Sequence, residues 1–430
     1  MKKLISGILA VPLILFSTTG FAQTEVEALR ETVEKLTKRV NQLEGKVEVR
    51  STNVVPAGAP QGNFIEGAMS GVRLTGYVET GYHQNFQNPA FVTPTGTAVD
   101  RTQSVAVFDT VADSFTLHAV KIALDKAAPT TGGVGFRTDL IIGQDAKVID
   151  SAATTGANPD EFSILQGYVE ARLPLHALEG NNVFGDSLYF RAGKYTTLAG
   201  AEVVEGKDNW NVTRSFMFGY AIPIAHTGAR MAYDLWDGKV TLTTGLNNGW
   251  DLMEDNNRYK TWEGQIAFKP SDKFLFTTTA YVGPENLNQI GHKRGVVDFV
   301  ALWKATDKLS LMANVDYGTE GRAVGAGERA DWSGYALYAR YQATDKLAFA
   351  TRGEIFMDHN SFRVGPGAIV GGAAIPREER YTAWTATTEY KLYENLITRL
   401  EYRYDWAETA LFEGESSQST VSAQLIYNFA

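Results

Sequence analysis

Not one of the 430 residues is a cysteine, so disulfides and thiolate-held metals are excluded as sources of stability. No segment reaches about eighteen consecutive apolar residues, which excludes helices that cross a bilayer. Histidine is scarce, with six residues at 83, 118, 176, 226, 292 and 359. None falls in a His-x-x-x-His or related spacing, so the sequence offers no metal motif and no cofactor is expected. Basic residues are outnumbered, 40 against 49 acidic, which argues against nucleic acid as a partner.

The first residues are consistent with an export signal. Lys2 and Lys3 precede the short apolar run from Leu4 to Phe16, and Gly20 and Ala22 supply small residues for cleavage. A signal peptide is therefore expected over 1–22, with the mature chain starting near Gln23. Removing it leaves 38 basic and 49 acidic side chains, a net of −11.

Residues 23–50 carry a heptad seam of Val26, Leu29, Val33, Leu36, Val40, Leu43 and Val47. Val at a with Leu at d makes a coiled coil, and this choice of residues leans towards two strands. The local run Arg39-Val40-Asn41-Gln42-Leu43-Glu44 is similar to a trimerisation signature, in which Arg39 pairs with Glu44 of a neighbouring helix. A homotrimer is expected. Residues 51–70 have no apolar period and hold Pro56 and Pro60, so they read as an extended linker.

From Gly71 the period becomes two. Leu396, Thr398, Leu400, Tyr402, Tyr404 and Trp406 alternate with Ile397, Arg399, Glu401, Arg403 and Asp405, giving one apolar face and one mainly charged face. Such segments are about the length a tilted outer-membrane strand needs. Similar alternation recurs near 72–84, 114–125, 133–142, 163–173, 187–195, 227–235, 239–248, 260–269, 273–283, 294–304, 308–317, 332–342, 346–357, 381–391 and 419–429. The fold class expected is all-β: a transmembrane antiparallel β-barrel of about 16 strands over 71–430, preceded by a short α-helical coiled coil. Short links such as Trp236-Asp237-Gly238 and the repeated Ala-Thr-Asp-Lys-Leu at 305–309 and 343–347 alternate with long ones. The long links are expected near 85–113, 143–162, 196–226, 284–293, 318–331, 358–380 and 407–418. An even strand number puts both termini and the coiled coil in the periplasm of a Gram-negative cell. The final stripe of Val421, Ala423, Leu425, Tyr427 and Phe429 resembles the signal read by barrel-assembly machinery, although Ala430 follows the aromatic.

If the apolar positions face lipid, the alternate ones line a bore. Those expected to line it are Arg73, Glu79, Arg137, Asp139, Glu170, Arg172, Arg191, Arg230, Asp234, Asp298, Arg340, Arg352, Glu354, Arg399, Glu401 and Arg403. A water-filled lumen holds both signs solvated, and opposed rows of Arg and carboxylate set a transverse field. Lys239, Lys269, Lys273, Lys304, Lys308, Lys346 and Lys391 fall instead at expected turns, which disfavours a lysine ladder. The link 196–226 is too apolar for a free surface loop. Folded inwards, it would bury Trp210, Phe216 and Phe218 and bring Glu202, Glu205, Lys207, Asp208 and Arg214 to a constriction.

The runs Gly193-Lys194-Tyr195, Asn209-Trp210-Asn211, Arg214-Ser215-Phe216-Met217-Phe218, His226-Thr227-Gly228, Asn247-Asn248-Gly249-Trp250-Asp251 and Gly283-Pro284-Glu285 resemble the β-barrel porin type-two family. The order of coiled coil, linker and barrel also resembles the sucrose-type porins, in architecture alone. The first resemblance implies an outer-membrane porin passing small hydrophilic solutes or ions, with the lipid bilayer as its surroundings. Two other readings remain open. One is an envelope anchor contacting peptidoglycan through the coiled coil. The other is a barrel hydrolase using Ser215 with His226. The acidic run Asp251 to Asn257 lacks the glycine and spacing of an EF-hand and reads as a solvated loop. A peptide spanning residues 24–50 should sediment as a trimer, and Arg39→Ala should shift it towards smaller species. A dimer for the unaltered peptide would reject the Arg39–Glu44 pairing.

Overall fold

The computed structural model describes residues 71–88, 105–153, 160–175, 184–288, 290–324, 327–364, 369–370, 373–374 and 378–429. The signal peptide, coiled coil and linker expected over 1–70 lie outside these residues. The alternating segments become strands β1 (Arg73–Asn85), β2 (Ser114–Lys126), β3 (Gly133–Ile142), β4 (Phe162–Pro174), β5 (Phe184–Thr196), β6 (Ala225–Leu235), β7 (Val240–Asn247) and β8 (Thr261–Ser271). They continue as β9 (Phe274–Gly283), β10 (Arg294–Lys304), β11 (Leu309–Val324), β12 (Glu328–Gln342), β13 (Leu347–Asp358), β16 (Glu379–Tyr393), β17 (Leu396–Ala407) and β18 (Ser417–Phe429). The short pair β14 (Ile369–Val370) and β15 (Ala373–Ala374) forms a separate two-stranded ribbon. An α-helix, α1 (Gln144–Ala153), follows β3.

Sixteen of these strands close into one antiparallel barrel. Each pairs with its chain neighbour, and β1 pairs with β18 from Gly76↔Phe429 to Asn85↔Thr420. Closure removes the free edge that hydrocarbon cannot satisfy.

The distribution of side chains is the reverse of a soluble protein's. Leu74, Val169, Phe190, Leu246, Phe299, Leu337, Trp384 and Leu400 are exposed, while Glu79, Asp139, Glu263, Asp298, Arg352 and Glu401 are buried. A continuous apolar outer surface of this kind requires lipid.

Short links gather at one end. Trp236, Asp237 and Gly238 all take positive φ (51°, 54° and 75°) to join β6 to β7. The repeated Ala-Thr-Asp-Lys-Leu segments use one solution twice. Thr306 Oγ accepts the N–H groups of Lys308 and Leu309 at 3.2 and 2.9 Å, and Thr344 Oγ accepts those of Lys346 and Leu347 at 3.3 and 3.0 Å.

At the other end, one link departs from the sequence reading. The stretch 318–331 is mostly strand, because β11 runs on to Val324 and β12 already starts at Glu328. Thr319 Oγ, bonding the Ala330 carbonyl at 3.1 Å, and the pair Glu320↔Ala330 extend this hairpin past its neighbours.

The outward face gives a stability test. Leu337→Arg, on a strongly exposed outer position, should cost on the order of 2–4 kcal/mol if it lies near the bilayer midplane. Leu392→Arg, beside a short turn, should cost roughly 0–1 kcal/mol. Folding titrations in lipid vesicles with urea would measure both, and equal costs would contradict the outward assignment.

Candidate pore and its inner segment

The wall residues are positioned by period two, and their partners divide into two zones. Near the end with the short links, the inner face is only half-buried. Arg137 pairs with Asp139, with Nε 2.9 Å from Oδ1. Arg191 lies over the Tyr168 ring at 4.0 Å and pairs with Glu170 at 3.3 Å. Arg172 donates to Ser187 Oγ at 2.9 Å and lies over Tyr189. Asp234 accepts from Thr241 Oγ at 2.6 Å, and Arg340 pairs with Glu389 at 2.8 Å. Arg73 is further out than a bore residue would be. Its side chain is 70% exposed at the start of β1 and pairs with Asp125.

Deeper in the barrel the charged wall residues are buried. Arg230 forks onto Glu263 at 2.8 and 3.1 Å and stacks over Tyr195 at 3.7 Å. Asp298 accepts from Asn314 at 2.7 Å and faces Asp316 across the β10–β11 pair. Glu79 accepts from Gln424 at 2.7 Å.

The segment between β5 and β6 runs inside the barrel and is held by the wall on several sides. Gln265 on β8 donates to the Leu198 carbonyl at 2.9 Å, and Tyr281 on β9 accepts the Leu198 N–H at 2.9 Å. Asn314 on β11 accepts the Ala201 N–H at 3.2 Å. Arg352 on β13 pairs with Glu202 at 2.6 Å and donates to the Thr213 carbonyl at 2.7 Å. Glu354 accepts the Phe216 N–H at 2.8 Å.

On β17, Arg399 donates to the Gly206 carbonyl, and Arg403 to that of Arg214, at 2.8 and 2.7 Å. Glu401 accepts the Val212 and Thr213 N–H groups at 2.5 and 3.0 Å and the Thr213 hydroxyl at 2.6 Å. Gly206 fits because it has no side chain, since a Cβ there would stand 2.4 Å from the Glu79 carboxylate. A one-turn π-helix, Met217–Ala221, follows, with Ser215 Oγ accepting the Phe218 N–H at 3.0 Å.

Glu205 meets Lys121 of β2, which also pairs with Asp139 at 2.9 Å. Buried Lys121 corrects the expectation that lysines avoid the lumen. Lys207 pairs with the adjacent Asp208, whose side chain stays 54% exposed and meets no wall charge among these bonds. Trp210 is half-buried edge-on to Tyr338, and Phe216 and Phe218 are buried.

Arg214 of this segment lies over the Phe108 ring at 5.1 Å and pairs with Asp145 of α1 at 3.1 Å. Burial opposes its charge, but Asp145 and Asp109 outweigh that and raise its pKa above the ordinary arginine value.

The pair considered for hydrolysis is not assembled. Ser215 Oγ bonds Glu202 at 2.8 Å, whereas His226 Nδ1 faces the Gly249 carbonyl at 3.0 Å and stacks on Tyr281. The acidic run 251–257 is not simply solvated. Asp251 accepts the N–H groups of Ile224 and Ala225 at 2.6 and 2.9 Å and ties this loop to the end of the inner segment. Sequence reasoning did not single out His83, Asp109, His118 and Asp145, which converge beside Arg214. His83 follows the inward parity of β1, and the other three came with no periodic signal.

Among curated protein sequences no match is found. Solved structures of similar fold include the outer-membrane channel DcaP of Acinetobacter baumannii. It is 11% identical with a TM-score of 0.55, covering 83% of this chain and 97% of that one. An anion-selective porin from Comamonas acidovorans is 10% identical with a TM-score of 0.53, covering 83% and 99%. OmpT of Vibrio cholerae in its trimer form is 10% identical with a TM-score of 0.50, covering 83% and 99%. The sequence profile described as "Putative beta-barrel porin-2, OmpL-like" matches residues 71–429. With that match spanning the whole barrel, the chain belongs to the beta-barrel porin-2, OmpL-like family and is an outer-membrane porin.

Proposed function

We propose that this porin passes small hydrophilic solutes or ions by passive diffusion, through a bore narrowed by the segment 196–226. The observation that carries this reading is the clamp of Arg352, Glu354, Arg399, Glu401 and Arg403 on that segment. A strip of chain fixed across a sixteen-stranded barrel restricts its cross-section, and charges left half-exposed beside it select by sign and size. Arg137, Glu170, Arg172, Arg191, Asp234 and Arg340 line the wetter part of the route, with Asp208 reaching solvent from the inner segment. Both termini lie on the periplasmic side in this reading. The Val/Leu seam joins three chains there and reaches the peptidoglycan. The trimer form of the OmpT structure of similar fold supports that assembly by analogy of fold.

Purified protein in planar bilayers should give ohmic steps that arrive in threes. Glu401→Ala removes the acceptor for two N–H groups and a hydroxyl of the segment. It should raise single-channel conductance by about twofold and add open-state noise as the segment loosens. Folded protein with no conductance and no solute uptake in liposomes would reject the open bore and favour an envelope anchor. For that anchor, deletion of 24–50 should weaken the envelope without changing permeability.

A further inference from the structure

We infer that His83, His118 and Asp109 form a binding site for a divalent d-block cation such as Zn²⁺, which ties the inner segments to the β1–β2 wall. The two imidazoles come from neighbouring strands. β1 presents His83 by ordinary inward parity, on the same face as Tyr77 and Glu79.

His118 reaches the lumen through a β-bulge. The register passes from Glu79↔Ala119 to Thr80↔Leu117, leaving His118 as the extra residue of β2. His118 and Ala119 are consecutive and both buried, whereas a regular strand would turn one of them to lipid. A bulge that brings a histidine inside a membrane barrel fits a ligand role better than packing.

The spacing suits coordination. His83 Nε2 and His118 Nε2 stand 3.0 Å apart, and Asp109 Oδ1 is 3.6 Å from His83 Nε2. Ligands about 2.0 Å from a tetrahedral Zn²⁺ lie roughly 3.3 Å from one another. The three donor atoms lie within 4.8 Å of one another, so side-chain rotations can close them on one ion.

The outer partners are those that ligating histidines use. His83 Nδ1 is oriented by Ser422 Oγ at 2.7 Å, and His118 Nδ1 stands 3.7 Å from both Asp145 Oδ1 and Asp109 Oδ1. Asp109 accepts the Arg214 N–H on its other oxygen at 3.4 Å, and its Oδ1 lies 3.6 Å from His83 Nε2 and 3.7 Å from His118 Nδ1.

Buried His118 Nδ1 and Asp145 Oδ1 have no hydrogen bond within 3.5 Å. An ion on Nε2 fixes the proton on Nδ1, where it is directed at this carboxylate. The imidazole nitrogens favour Zn²⁺ over Ca²⁺ or Mg²⁺. The same cluster anchors Arg214 through Asp109 and Asp145, so a bound ion also stiffens the segment 196–226.

The test uses the full folded protein, stripped with a chelator and titrated with Zn²⁺ by calorimetry. One ion per chain is expected, with affinity lost by tenfold or more in His83→Ala and His118→Ala and weakened in Asp145→Asn. Co²⁺ added to the unaltered protein should give the intense visible absorption of a tetrahedral site, a readout that needs no variant to fold. In bilayers, Zn²⁺ should quieten open-state noise in the unaltered channel but not in His83→Ala. An unaltered protein that binds Zn²⁺ no better than His83→Ala, or Co²⁺ with only the weak spectrum of the aqueous ion, would overturn the site. The cluster would then be held by a proton shared among His118, Asp109 and Asp145. Conductance without Zn²⁺ binding would leave the porin reading intact.

Discussion

In hydrocarbon no water is available to take up a bare N–H or carbonyl, so a strand sheet survives there only as a closed ring. The contact on which this structure depends is therefore the last one made in sequence, β18 against β1 over ten residue pairs. Once the ring is closed, the two faces of every strand are fixed. Leucine and aromatic residues such as Leu337, Trp384 and Leu400 face outwards without an edge to protect, and charged residues such as Glu79, Asp139, Arg352 and Glu401 are committed to the inner face. Sixteen strands also enclose more space than side chains can fill. That excess has to be occupied by water or by chain.

Here chain occupies much of it, and this explains why the inner wall carries both signs. A segment without regular structure, placed inside a barrel, arrives with unpaired N–H and carbonyl groups, each of which needs a partner. Carboxylates can only accept and guanidinium groups only donate. Glu354 and Glu401 take the amides of Phe216, Val212 and Thr213, while Arg352, Arg399 and Arg403 take the carbonyls of Thr213, Gly206 and Arg214. On this part of the wall the mixture of charges is a receptor for backbone, and its first customer is the protein itself.

The barrel was legible because lipid imposes one simple rule on every strand. All sixteen strands stand where period two predicted them, and the two Ala-Thr-Asp-Lys-Leu turns form the same hydrogen bonds. What escaped has identifiable causes. The β11–β12 hairpin continues beyond the apolar alternation, so its outer residues looked like a loop. Lys121 and His118 sit on β2, where the bulge shifts parity, and a strict two-residue period misassigns one side of it. Asp109 and Asp145 act through contacts far apart in sequence, with Arg214 as their common partner, and no local pattern encodes such a meeting. The aromatic content of 196–226 prompts the expectation of an inward fold, whereas the identity of each clamp depends on which strands close opposite each other.

The same bookkeeping of partners separates structural charge from charge open to a solute. Arg352 and Glu401 are buried and each is held by several partners, so a passing ion meets little of their field that is not already cancelled. Arg137, Arg191 and Glu170 keep 30%, 34% and 25% of their side chains exposed, and Arg191 offers only one edge to Glu170 while its face rests on Tyr168. Groups with donors left over in water are the ones able to exchange partners with a solute at low cost. In the proposed passage, the discriminating charge therefore belongs to the half-exposed β3–β6 wall, and the buried residues of β13 and β17 determine how far the inner segment can yield.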